Sequence, residues 1–223
     1  FIKQDGSFRL NMKYFNYCTG FTMTNKNFDN LFNSKPRGKN DKINQFHMDL
    51  ASSIQSVTED IIILICKHIK NKYKSKNLCL AGGVALNCVA NGKIINEKIF
   101  DRIWIQPAAG DAGGALGAAL AYWFLELKNN RIISEKNIDD MMKGSLLGFS
   151  ESRTEMKKFF DNNAIEYEEL NFNTMINYVA EYLSTGKAVA WYQNKMEFGP
   201  RALGSRSILA DPRNPNMQKE LNL

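Results

Sequence analysis

From Asp41 onward, apolar residues recur at steps of three and four, at Ile43, Phe46, Leu50, Ile54, Val57, Ile61 and Ile65. That is the period of one helix face, so the stretch predicts a long amphipathic helix whose stripe lies as core against a sheet. Lysines gather between Lys67 and Lys76, where the helix is expected to end and cations favour its dipole. Upstream, Ser7 to Phe15 alternates, with Phe8, Leu10, Met12 and Tyr14 on one face, and predicts a strand. Asn25 to Asn40 is polar and contains glycine and proline, which predicts a loop.

Downstream the pattern shifts to short apolar runs that end in glycine. Asn77 to Ala81 reads as a strand running into Gly82-Gly83 and then a helix. Arg102 to Pro107 reads as a short buried strand, and Ala108 to Tyr122 turns from it into a helix of small residues. Two successive strand, glycine turn, helix units place Gly82-Gly83 and Asp111 at one edge of a single sheet. Lys128 to Lys143 is polar, and Gly144-Ser145-Leu146-Leu147-Gly148 marks a hinge. Beyond it, Ser152 caps a helix through Phe160, Ile165 to Leu170 is a candidate strand, and Thr174 to Ser184 has helical spacing at Ile176, Val179, Ala180 and Leu183. Gly186 ends that helix, and Ala188 to Tyr192 makes a buried strand. The fold class is α/β.

The chemistry sits where these elements meet. A glycine pair after a strand lets the backbone turn at positive φ and approach a ligand, and the following helix aims free N–H groups at it, which suits phosphate. The same pair also serves a plain tight turn. Asp111 has two readings: an N-cap for its helix, or a carboxylate that faces a phosphate site and takes a divalent cation. The densest cluster is Met196 to Arg213, where Arg201, Arg206, Arg213 and Glu197 share a loop with Gly199, Pro200 and Gly204. Arginine forks match phosphate or carboxylate oxygens, so this loop is suited to hold an anion.

Composition narrows the setting. The 223 residues can form one large or two small domains, and 44% apolar with 23% charged residues is the balance of a globular protein. No apolar run reaches the length of a membrane span, and no signal peptide is visible at Phe1. Cys18, Cys66, Cys79 and Cys88 lack metal spacing and are expected as buried thiols in a cytoplasmic protein. His47 and His68 are too far apart for a two-ligand helical motif. The net charge of +6 comes without interleaved aromatic residues, so nucleic acid is not an expected partner.

Leu78 to Asn87, Pro107 to Ala119 and Glu197 to Arg213, in that order, resemble the nodulation-type O-carbamoyltransferase family, and the resemblance extends over nearly the whole chain. It implies the second lobe of an actin-like ATPase (ribonuclease H-like) fold over residues 1–143, a linker over 144–151, and the start of a YrdC-like α/β domain over 152–223. The implied activity is ATP-dependent O-carbamoyl transfer: carbamoyl phosphate and ATP give a carbamoyl adenylate with loss of pyrophosphate, and the carbamoyl group then passes to a hydroxyl of a small molecule or glycolipid, which displaces AMP. Adenylation supplies the leaving group that a poorly electrophilic carbamoyl carbon needs.

Carried onto this sequence, Gly82, Gly83 and Asn87 are expected to contact nucleotide, with Gly110, Gly113 and Gly114 in the facing turn and Asp111 as a ligand to a divalent metal, iron or magnesium. Arg201, Arg206 and Ser207 are candidates for carbamoyl phosphate or ATP phosphates, Lys187, which ends a helix before the buried strand, is a further candidate catalytic residue, and Glu197 is a candidate for orienting an arginine or the ligand amine. Arg206 is expected to be dispensable for folding. Family members are much longer and place paired metal-binding histidines upstream of the matched region, so this chain is expected to be an internal fragment, inactive by itself. Self-association, a threonylcarbamoyl tRNA-modifying enzyme and a non-catalytic nucleotide-binding module remain open alternatives.

Overall fold

The computed structural model describes residues 1–131 and 140–222 and contains helices and two small sheets, an α/β arrangement. It divides into two compact units, one of Phe1–Leu80 with Asn87–Ile105, the other of Ala81–Leu86 with Gln106–Leu223. Part of the polar stretch 128–143 lies outside the described residues.

In the first unit, α1 spans Lys26–Phe32, α2 Gln45–Tyr73, β1 Asn77–Leu80, α3 Cys88–Asn96 and β2 Arg102–Ile105. Strands β1 and β2 pair in parallel, with Leu80 opposite Ile105, so both chains leave the pair at the same end. The core joins Ile63 and Cys66 of α2, Leu78 of β1, Ile94 of α3 and Phe100, with Ile62, Leu80, Ile99 and Ile103 against it. The expected stripe of α2 is thus displaced: Ile63 and Cys66 are its buried residues, whereas Ile54 is 62% exposed and Ile43 precedes the helix. The buried residues of α2 lie in its C-terminal half, where α3 packs on it and Leu78 and Phe100 complete the cluster.

Helix α2 starts at a reciprocal cap, in which Asn44 accepts from the His47 N–H at 3.2 Å and His47 Nδ1 accepts from the Asn44 N–H at 3.1 Å. Two expectations fail before it. Ser7–Phe15 is not a strand but isolated bridges, Ile2 to Phe8 and Phe15 to Thr24, around a 3₁₀ turn at Met12–Tyr14. Alternation without a partner strand builds no ladder, and the Asn11 side chain instead bonds the Lys13 N–H. Asn25–Asn40 is not wholly loop, because asparagines read there as loop residues cap α1: Asn25 starts it, and Asn33 ends it at φ 48°. Tilted ring contacts of Phe28 with Phe15 and Phe32, and of Phe32 with Phe46, hold α1 in place.

In the second unit, a 3₁₀ turn at Gly83–Leu86 is followed by α4 (Asp111–Ala121), α5 (Arg153–Asn162), α6 (Phe172–Ser184), β3 (Val189–Tyr192), β4 (Arg206–Leu209) and α7 (Met217–Leu221). Ser152 caps α5 as expected, in a capping box with Glu155. Gly186, at φ 80°, turns the chain after α6. Strands β3 and β4 form an antiparallel ribbon with Tyr192 opposite Arg206, so part of the expected arginine loop is strand. A two-stranded ribbon covers one face, and β3 is therefore half-buried on alternate residues rather than buried. Ile165–Leu170 forms no strand, since no ladder partner stands beside it. Tyr167 instead packs on Phe160, and Glu169 pairs with Arg153 at 2.8 Å and with Lys157.

All four cysteines are free thiols, and only Cys66 is buried, against the expectation for Cys18, Cys79 and Cys88. Burial pushes the Cys66 thiol above its ordinary range. Among the described residues, no helix is long and apolar enough to cross a membrane.

Candidate functional site

The three chemically dense loops belong to the second unit. The first glycine turn is tied to the second by the Gly82 N–H, which donates to the Ala109 carbonyl at 2.7 Å. Gly82 sits at φ 101°, a conformation that side chains rarely adopt. The arginine loop reaches the second turn at Gly199, where a Cβ would come within 3.0 Å of the Pro107 carbonyl oxygen and 3.4 Å of Ala108 Cα.

The glycines of these turns divide by what surrounds them. A Cβ on Gly113 would collide with the Ala108 carbonyl oxygen, so that glycine lets the turn fold back onto its own helix. Gly83, Gly110 and Gly114 face open space, with nothing within 4 Å of where a Cβ would stand. None of the described residues requires glycine there for want of room, and the open space suits the close approach of a ligand.

Gly110, not Asp111, is the N-cap of α4, and no side chain caps the helix. The N-cap bond that would explain Asp111 is therefore absent. Asp111 occupies the first helical position and is exposed. The carbonyl of Gly110 accepts from the N–H groups of Gly113 at 3.1 Å and Gly114 at 3.2 Å. The first N–H groups of α4 have no intrahelical acceptor and carry the positive end of its dipole.

In the arginine loop, the buried Glu197 carboxylate organises the backbone. Its Oε1 accepts from the N–H groups of Ser205 at 2.6 Å, Leu203 at 2.9 Å and Arg206 at 3.3 Å. These bonds, that of Ser205 above all, hold the carboxyl at about 2, well below its ordinary 4.5. Glu197 thus orients main chain, and none of its bonds goes to a guanidinium.

The arginines are used unequally. Arg206 lies over the Tyr192 ring, 3.4 Å from its centroid, and donates to the carbonyls of Gln193 at 2.7 Å, Ser205 at 2.8 Å, Asn194 at 3.2 Å and Phe149 at 3.3 Å. So engaged, it braces the β3–β4 ribbon. Arg213 is clamped by Asp211, with Nε 2.9 Å from both carboxylate oxygens and Nη2 2.5 Å from Oδ2, and this pairing keeps the Asp211 carboxyl at about 2. Arg201 is exposed and has no ion pair or side-chain hydrogen bond among the described residues. It is the arginine of this loop left available to an anion.

Lys187 is exposed, with its ammonium 4.5 Å from the centroid of the Tyr182 ring, and Ser207 Oγ accepts the Gly204 N–H at 3.0 Å. Asn87 belongs to the first unit, where its side chain caps α3 through the Ala90 N–H at 3.1 Å and exchanges hydrogen bonds with Gln55 at 2.9 and 3.2 Å. That side chain is occupied in joining α2 to α3. Among the described residues, no group of three or more His, Cys, Asp or Glu gathers to hold a metal, and Asp111 alone is an incomplete donor set.

Reasoning from sequence missed Ser145, Gln193 and Tyr192. Gln193 Nε2 donates to the Gly204 carbonyl at 2.9 Å, and the Tyr192 hydroxyl donates to Glu151 at 2.6 Å. Glu151 raises the Tyr192 phenol above its ordinary range. The usable signal was the Trp-Tyr-Gln run entering the loop, an aromatic placed to take an arginine face.

Residues 1–120 match the family model of the carbamoyltransferase N-terminus, and residues 180–223 match that of the carbamoyltransferase C-terminus. An uncharacterized protein of Synechocystis sp. is 48% identical over 224 residues, covering 100% of this chain and 36% of that protein. Nodulation protein NolO of Bradyrhizobium diazoefficiens is 36% identical over 192 residues, 86% of this chain and 34% of the relative. Nodulation protein NolNO of Sinorhizobium fredii is 38% identical over 186 residues, 83% of this chain and 26% of the relative. The chain therefore spans about a third or less of the length of these relatives.

Proposed function

Since the chain belongs to the carbamoyltransferase family, we propose that it forms part of an ATP-dependent O-carbamoyltransferase in which carbamoyl phosphate, water and ATP give a carbamoyl adenylate with release of phosphate and pyrophosphate, and the carbamoyl group then passes to a hydroxyl with release of AMP. The finer fold assignment belongs to the same proposal: an actin-like ATPase lobe over 1–143, a linker over 144–151 and the start of a YrdC-like domain over 152–223. The observation that carries the reading is the meeting of both glycine turns and the arginine loop in one unit, through Gly82 on Ala109 and Gly199 on Pro107.

In this reading Gly83, Gly110 and Gly114 leave room for phosphate to approach the backbone, and the start of α4 offers N–H donors to it. Arg201 supplies a fork for a phosphate or carbamoyl phosphate oxygen, and Lys187 a second cation. Arg206 and Glu197 keep the loop in shape, and Gly113 keeps the turn close to its helix. Substrate phosphates bring the reacting groups together, and the residues of this chain bind and orient them. Asp111 could share a magnesium ion with phosphate oxygens, as such ions commonly need only one or two carboxylates. The donors of this chain do not complete a metal site, and no step is assigned to one.

The test is carbamoyl-phosphate-dependent exchange of labelled pyrophosphate into ATP, run on this chain and on the full-length Synechocystis relative, with and without alanine at Arg201 or its counterpart. Exchange by the relative that is lost with the arginine is expected. Nucleotide binding with no exchange in the relative would instead support a binding module, a reading favoured by the lone Asp111. Dependence on tRNA would point to threonylcarbamoyl chemistry.

A further inference from the structure

The turn from Asp140 to Gly148 plays no part in the chemistry just described, yet its backbone is unusually constrained. Lys143, Gly144 and Ser145 follow one another at φ 49°, 63° and 73°. Left-handed backbone at residues other than glycine persists only where surrounding bonds over-determine it. Here the Asp140 carboxylate accepts the N–H groups of Met142 at 2.9 Å and Gly144 at 3.0 Å. The carbonyls of Asp140 and Met142 accept those of Lys143 and Ser145, each at 2.7 Å.

These bonds aim Ser145, which is 0% exposed, at the arginine loop. Its hydroxyl donates to the Phe198 carbonyl in a short hydrogen bond, and its carbonyl accepts the Phe198 N–H at 2.7 Å. The pairing continues in the manner of a strand. Gly148 N–H donates to the Met196 carbonyl, and Met196 N–H donates to the Phe149 carbonyl, both at 2.9 Å. A Cβ on Gly148 would come within 2.8 Å of the Met196 oxygen, so the close approach needs glycine. The Phe149 carbonyl also takes the Arg206 guanidinium. Phe198 stands between Glu197, which gathers the loop amides, and Gly199, which rests on Pro107 and Ala108.

We propose that Ser145 is a positioning residue for anion binding by the arginine loop: its hydroxyl fixes Phe198 and so sets where the turn from Gly199 to Arg201 stands on the Pro107–Ala108 turn. The proposal rests on the anion reading of the loop given above. Ser145 itself touches no ligand.

Carbamoyl phosphate, and separately inorganic phosphate, would be titrated calorimetrically into this chain, into the full-length Synechocystis relative and into Ser145→Ala, Ser145→Gly and Arg201→Ala. Amide exchange at Phe198, Ser205 and Arg206 would be followed without ligand. Losing one hydrogen bond should weaken carbamoyl phosphate binding about three- to tenfold in Ser145→Ala. Ser145→Gly removes the backbone strain together with the hydroxyl. It is therefore expected to weaken binding equally while its unfolding temperature stays level or rises, a split that a purely structural role would not give. Exchange at Phe198 and Ser205 should quicken in both variants. Wild-type affinity in either serine variant, with affinity lost in Arg201→Ala, would overturn the role of Ser145 and leave the anion site standing. Absence of binding both by the wild-type chain and by the full-length Synechocystis relative would remove the anion site and the role of Ser145 with it.

Discussion

The two units are held together by different means. In the first, Ile63, Cys66, Leu78, Ile94 and Phe100 form a continuous apolar cluster. In the second, the loops of the candidate site depend on buried polar residues, Ser145, Glu197 and Ser205, and on glycines where main chains pass closely. Apolar burial is non-directional and tolerates small shifts, whereas a hydrogen bond weakens steeply with angle and distance. The first unit rests on apolar burial, and the second on directed bonds that fix its backbone.

The contrast is broken most strongly by opposite operations. Removing a side chain should damage the first unit: Ile94→Ala, at a residue 1% exposed, is expected to cost about 2–5 kcal/mol in denaturant unfolding. Adding one should damage the second: Gly113→Ala drives a methyl into the Ala108 carbonyl, and overpacking of this kind costs about 1–3 kcal/mol. If Gly113→Ala were as stable as the wild type, the close approach would not be required.

Next in size is the division of labour among the arginines. Arg201→Ala should lower carbamoyl phosphate affinity roughly ten- to a hundredfold with an unchanged unfolding temperature, by loss of a charge-assisted bond. Arg206→Ala should first lower the unfolding temperature, because it strips donors from the carbonyls of Gln193, Ser205, Asn194 and Phe149. That geometry argues against the expectation that Arg206 is dispensable for folding, and the melting measurement decides between them. Equal effects of the two substitutions on melting and on binding would erase the distinction.

Acid should separate the units as well. The Glu197 carboxyl is lowered in the folded chain, so its contribution is fully present above its ordinary value of 4.5 and is lost as pH falls from there through about 2. Amide exchange at Leu203, Ser205 and Arg206 should quicken over that range, ahead of exchange at Ile94. Glu197→Gln should quicken it at neutral pH. The smallest effect is expected at Gly114, where a methyl meets open space: Gly114→Ala should stabilise α4 by about 0.5–1 kcal/mol. In the nucleotide reading the same methyl lowers ATP affinity, and unchanged affinity would move the phosphate away from this turn.

Much of the local structure was legible because its signals are local. The α2 period, the Ser152 cap, the Gly186 stop and the two short runs that became β1 and β2 are set by neighbours within a turn or two. Ser7–Phe15 and Ile165–Leu170 misled because alternation describes one edge of a ladder, and a ladder also needs a partner that sequence spacing does not supply. At α1, the asparagines signalled loop but served as caps, and the phenylalanines decided the outcome by packing.

For the candidate site, the sequence by itself determined which residue types are present and that three glycine- and arginine-bearing loops exist. It could not apportion them. That Arg206 and Arg213 are occupied while Arg201 has no side-chain partner among the described residues, that Glu197 holds amides, that Asn87 joins α2 to α3, and that Ser145 secures Phe198 across 53 positions were decided only by tertiary structure. The physical reason is directionality. A donor's partner depends on atoms brought near by distant parts of the chain, and only the folded backbone fixes which carbonyl or carboxylate arrives within reach.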